Sequence, residues 1–129
     1  MFAMFLLTTA VLLVMFKSRV RAVRSKDVPL SYFKNYGESP LPDYVVWPAR
    51  HFSNLFEAPV LFYVACLAAM ILDVTGYLIV GLAWGYVVSR VFHALVHIQK
   101  NNVFTRMRIY FVSWLFLAAL WISIVVAVS

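Results

Sequence analysis

The chain has 129 residues, of which 64% are apolar and only 12% charged, with a mean hydropathy of +0.88. Soluble domains are roughly 45–50% apolar and cover their surface with charge, so this composition excludes an ordinary water-soluble globule and makes lipid the solvent. A formal charge of +6 on so apolar a chain points to the cationic loops of a membrane protein and away from nucleic acid as a partner.

The apolar runs predict four spanning helices, at about 2–22, 48–72, 76–98 and 106–128, in a single all-α domain. The first run resembles a signal peptide in length. It lacks a basic leader, however, and is followed at once by Lys17, Arg19, Arg21 and Arg24, which reads as a membrane helix whose basic side chains reach the interface. Residues 25–47, with Pro29, Gly37, Pro40 and Pro42, have the composition of a loop, and Pro48 suits the first turn of the second helix. Pro59 should bend that helix and free a backbone carbonyl. Asp73, Thr75 and Gly76 predict a tight turn into the third helix, and residues 99–105 a short polar loop before the fourth. Gly76, Gly81 and Gly85 permit close helix contact, and Cys66, the only cysteine, is expected as a small residue in an apolar run.

All eleven Lys and Arg lie between residues 17 and 50 or between 90 and 108. The positive-inside rule then puts both basic loops on the cytoplasmic side and both termini, with the Asp73 turn, on the other: four spans, N-out and C-out. The bacterial cytoplasmic membrane, or an endomembrane in a eukaryote, is the expected location, and the bases near residues 17–26 are expected to contact anionic membrane lipids.

Polar residues inside the spans carry the functional signal, because each is costly there unless partnered. The second and third helices meet at a turn near residue 74, so positions equally far from it share a depth. Glu57 is then level with the space between Arg90 and His93, about 23–27 Å along the helices from the turn. Arg50, Asn54 and Glu57 stand at i, i+4 and i+7; Arg90, His93 and His97 at i, i+3 and i+7; Arg106 and Tyr110 four apart. Three helices are thus expected to aim polar stripes at one cation-rich cavity suited to a small anion. A Glu57–Arg90 ion pair fixing helix register is the structural alternative. His93 and His97 could hold a metal on one helix face. A membrane di-iron site needs several such boxes, though, and three histidines in the whole chain make no metal the expectation.

The segments RHFSNLFEAP (50–59) and RVFHALVH (90–97), followed by Arg106 and Tyr110, resemble motifs of the MAPEG family, the membrane-associated proteins of eicosanoid and glutathione metabolism. His97 stands where animal members commonly have tyrosine, and Met107 where a serine follows the active-site arginine. The resemblance implies a homotrimer of four-helix subunits binding glutathione as co-substrate between neighbours, near the cytoplasmic face. Asn54, Glu57, His93, Arg106 and Tyr110 would hold the tripeptide, with Arg50, Arg90 and His97 on the same stripes, and Arg19 or Arg21 would reach a carboxylate. Arg106 would stabilise the thiolate that attacks a lipophilic electrophile or peroxide drawn from the bilayer. The alternatives are a non-catalytic subunit or interaction protein of this fold in a larger complex, and a small transporter using Glu57, which Arg50, Arg90 and Arg106 disfavour.

Overall fold

A computed structural model describes residues 1–35, 40–99 and 102–129, and the expected loop positions Gly37, Lys100 and Asn101 lie outside the described residues. The chain forms α1 (Phe2–Arg24), α2 (Leu30–Asn35), α3 (Asp43–Asn54), α4 (Ala58–Ile71), α5 (Tyr77–Gln99) and α6 (Val103–Val128), with no strand among the described residues. Four segments are long and apolar enough to cross a membrane: α1, α3 with α4 as one unit (Asp43–Ile71), α5 and α6. Antiparallel α5 and α6 form the most extensive pair, α1 packs along α3, and α3 and α4 lie against α5 and α6.

The bundle has its large apolar side chains outside as well as inside. Ile71 is 81% exposed and Phe104 74%, while Arg90 and His51 are fully buried. That distribution suits a protein whose surroundings are hydrocarbon and whose polar groups must find partners inside. The core joins Met4 and Val11 of α1, Phe62 and Ala65 of α4, Tyr86 of α5, and Leu117 and Leu120 of α6. Phe62 and Tyr86 stack at 4.5 Å with their planes 16° apart, fixing α4 against α5. Gly85 permits a close approach of α6: a Cβ there would fall 2.5 Å from the Phe116 ring. No such crowding surrounds Gly76 or Gly81.

Two element boundaries differ from expectation. The second span starts at Asp43, before Pro48, which lies inside α3 and not in its first turn. It is also interrupted at Leu55–Glu57. Pro59 sits at the second position of α4, has no N–H to offer the Leu55 carbonyl, and carries a ring that collides with it. The chain leaves α3 through tightened i to i−3 bonds, Leu55 to Phe52 at 3.1 Å and Phe56 to Ser53 at 3.0 Å. The fourth span begins three residues earlier than expected because Asn102 caps it, its side chain accepting from the Thr105 N–H at 3.1 Å.

Both α1 and α4 end in a six-to-one closure. Asp27 N–H donates to the Ala22 carbonyl at 3.0 Å, and Val74 N–H to the Ala69 carbonyl at 2.8 Å. Each closure needs a left-handed residue, here Lys26 (φ 61°) and Asp73 (φ 54°). Asp tolerates that conformation; lysine bears a cost of about 1–2 kcal/mol. Lys26→Gly is therefore expected to stabilise the protein by about 0.5 kcal/mol, and Asp73→Ile to destabilise it by at least 1 kcal/mol, measured by unfolding in detergent micelles.

Candidate functional site

At the break between α3 and α4, the carbonyls of the last turn exchange their i+4 partners for i+3 bonds, the last of them long, Glu57 N–H to the Asn54 carbonyl at 3.5 Å. That carbonyl is also taken up from α5: Arg90 Nη2 donates to it at 3.3 Å, and the Tyr110 ring of α6 lies under the same guanidinium at 5.6 Å. Arg90 is wholly buried, and its Nε and Nη1 have no hydrogen-bond partner among the described residues. It is therefore bound to a carbonyl and an aromatic face and not to Glu57, which is exposed at the N-cap of α4.

Three histidines gather beside it. The ring centroids of His51 and His93 are 5.3 Å apart, of His51 and His97 5.0 Å, and of His93 and His97 5.8 Å. Arg106 Nη1 lies 3.3 Å from His97 Nε2, and the Tyr110 ring is 5.7 Å from that of His93. Both nitrogens of His51, and Nδ1 of His93 and His97, are buried without a partner among the described residues. Together, α3, α5 and α6 make a polar nest of two guanidiniums, three imidazoles and a phenol in an otherwise apolar bundle.

The expected residues fall into three groups. Arg90, His93, His97, Arg106 and Tyr110 come together in this nest. Asn54 joins through its backbone carbonyl and is half-buried, whereas Arg50 and Glu57 are exposed. At the end of α1, Arg19 is half-buried over the Phe33 ring (5.6 Å), and Arg21 is exposed over the Tyr44 ring (5.3 Å), whose hydroxyl donates to Asp27 at 2.6 Å. Neither α1 arginine makes a hydrogen bond or ring contact with the nest among the described residues. His51 was not anticipated. Its signal was the buried stripe Val45, Pro48, His51 and Leu55, which marks the inner face of α3 as one position round from Arg50.

The donor set favours an anion. Buried guanidinium N–H groups with spare capacity, a second arginine and a phenol suit carboxylates or a thiolate. No group of three or more His, Cys, Asp or Glu among the described residues is arranged to hold a metal ion.

The MAPEG family profile matches residues 1–126. The chain belongs to the MAPEG family. It is accordingly a multi-pass membrane protein of four spans, in a family linked to glutathione and eicosanoid metabolism. No curated protein and no solved structure matches the chain.

Arg90 bridges the helix break, so its loss leaves the Asn54 carbonyl with only the long bond from the Glu57 N–H (3.5 Å) and the Tyr110 ring without its cation. Arg90→Ala is expected to destabilise the protein by about 3 kcal/mol in detergent unfolding, and Arg90→Lys by less, since an ammonium can still reach the carbonyl.

Proposed function

We propose that this MAPEG protein binds glutathione in a homotrimer, at a site shared by neighbouring subunits near the cytoplasmic face, and joins it through its thiolate sulfur to a lipophilic electrophile, expelling the leaving group, or uses two glutathiones to reduce a lipophilic peroxide to alcohol and water, forming the disulfide. The observation that carries this reading is Arg106 held against His97 beside Tyr110, His93 and the half-satisfied Arg90. Glutathione brings two carboxylates, an ammonium and a thiol. Arg90 has buried donors to spare for an anion, and Arg106 and Tyr110 stand one turn apart on one face of α6, where they could hold a thiolate between them. A cation beside a thiol lowers its pKa from about 8.5 and so raises the share of the nucleophilic form.

The exposed half of the motif supports a shared site. Arg50 and Glu57 are exposed on the protomer that buries Arg90 and His93, which leaves them open to a ligand that a neighbouring subunit also contacts. A neighbour's Glu57 would meet the ammonium, and its Arg50 a carboxylate. From α1, Arg19 is the better placed arginine for the second carboxylate, since its buried Nε has no partner among the described residues; Arg21 is the alternative. The apolar exterior admits the second substrate from the bilayer.

Conjugation of glutathione to a chromogenic aryl halide by the detergent-purified protein tests the assignment. Arg106→Ala is expected to lower kcat/KM by about 100-fold, as for loss of a preorganised donor to a developing anion, with partial recovery in Arg106→Lys. Unchanged turnover in Arg106→Ala rejects the role. Co-expressing Arg106→Ala with Glu57→Gln subunits should restore activity, because some mixed sites then carry both native side chains; an inactive mixture argues against sharing between subunits.

A further inference from the structure

On the far side of α6 from the nest, a groove of about 380 Å³ runs along the seam with α5, walled by Val88 and Phe92 of α5 and Ile109, Val112 and Phe116 of α6. Gly85 and the Phe116 ring pressed against it close one end, and Arg108 stands at the other. Arg108 is exposed and makes no hydrogen bond, ion pair or ring contact among the described residues. Ser89, the other polar residue along the seam, spends its hydroxyl on the Tyr86 carbonyl at 2.7 Å. The groove therefore offers one cation and otherwise only hydrocarbon.

Its direction matters as much as its chemistry. Arg108 and Phe116 are eight residues apart, so the groove extends about 12 Å along the helix, from near the basic end toward the middle of a hydrocarbon layer about 30 Å thick. Arg106 and Arg108 are two residues apart, about 200° round the helix, so the groove and the nest use opposite faces of α6. The clustering of Lys and Arg puts the Arg108 end on the cytoplasmic side.

We infer that this groove binds an anionic phospholipid of the cytoplasmic leaflet, one per protomer, with its phosphate on Arg108 and one acyl chain lying between α5 and α6. A free fatty acid would match the same charge but engages a single tail and no glycerophosphate. A second copy of the chain would have to bring a carboxylate to Arg108, and the exposed Glu57 is on a surface that the proposed shared site already uses. The inference stands apart from the catalytic reading, since it involves none of the nest residues.

Native mass spectrometry of the detergent-solubilised protein tests it, after equilibration with equimolar phosphatidylglycerol, phosphatidylcholine of the same acyl chains, and the matching free fatty acid. Phosphatidylglycerol should be retained at one per protomer, about fivefold over phosphatidylcholine, a preference lost in Arg108→Gln and kept in Arg108→Lys. Val112→Trp, which fills the groove, should lower retention of both phospholipids, while conjugation activity stays unchanged in Arg108→Gln. Equal retention of the two phospholipids, preference for the fatty acid, or a headgroup preference that survives Arg108→Gln would overturn the inference. So would efficient disulfide cross-linking between protomers through Val112→Cys in a Cys66→Ser background, because a second copy would then cover the groove.

Discussion

A fully buried arginine hydrogen-bonded to a backbone carbonyl organises the polar interior of this protein. Pro59 removes an N–H from the second span and drives its ring against the preceding turn, so the helix parts at Leu55–Glu57. Carbonyls released inside a membrane bundle have no water to turn to, and an unpaired guanidinium at that depth is equally costly. The bond from Arg90 to Asn54 relieves both at once and sets the level of α3 against α5. With that level set, His51 falls between His93 and His97, and His97 in turn meets Arg106. One proline thus determines, through a chain of contacts, where the cations of three helices gather.

The number, length and order of the spans were legible in the sequence because hydrocarbon imposes a strict requirement: some twenty apolar residues per crossing, with the charges gathered in loops. The start of α3 was harder to see. Pro48 and the polar run before it read as a boundary, yet Asp43 opens the helix and Pro48 is tolerated within it. The depth relation between Arg90 and the Asn54 turn was readable by counting residues from the Asp73 turn; the partner chosen there was not. Counting along the axis gives level but not azimuth, and the interruption at Leu55–Glu57 separates Glu57 from the helical phase of Arg50 and Asn54. His51 escaped for the same reason: the inner face of α3 is marked by Val45, Pro48 and Leu55, residues without chemistry of their own.

The two faces of α6 show how little sequence separates distinct environments. Arg106 and Tyr110 look toward α5 and α3, and Ser113, Leu117 and Leu120 continue that face into the core. Arg108 and Val112 look outward along a seam that hydrocarbon can enter. Two arginines two positions apart therefore do different work, one within a network of rings and nitrogens, the other at the mouth of an apolar groove.

Charge decides what the nest can hold more than the spacing of its rings does. Three imidazoles with centroids 5.0 to 5.8 Å apart are close enough to suggest a common ligand. A metal cation there would have to sit beside Arg90 and displace the contact between His97 and Arg106, with no carboxylate in the cluster to offset two positive charges. An anion gains from both arginines, and the imidazole nitrogens can donate to it or to its neighbours as its shape demands. Glu57, exposed at the N-cap of α4, makes no ion pair with this cluster among the described residues. A zwitterion's ammonium would therefore need a carboxylate from outside the cluster of Arg90, Arg106 and the three imidazoles, which has none of its own.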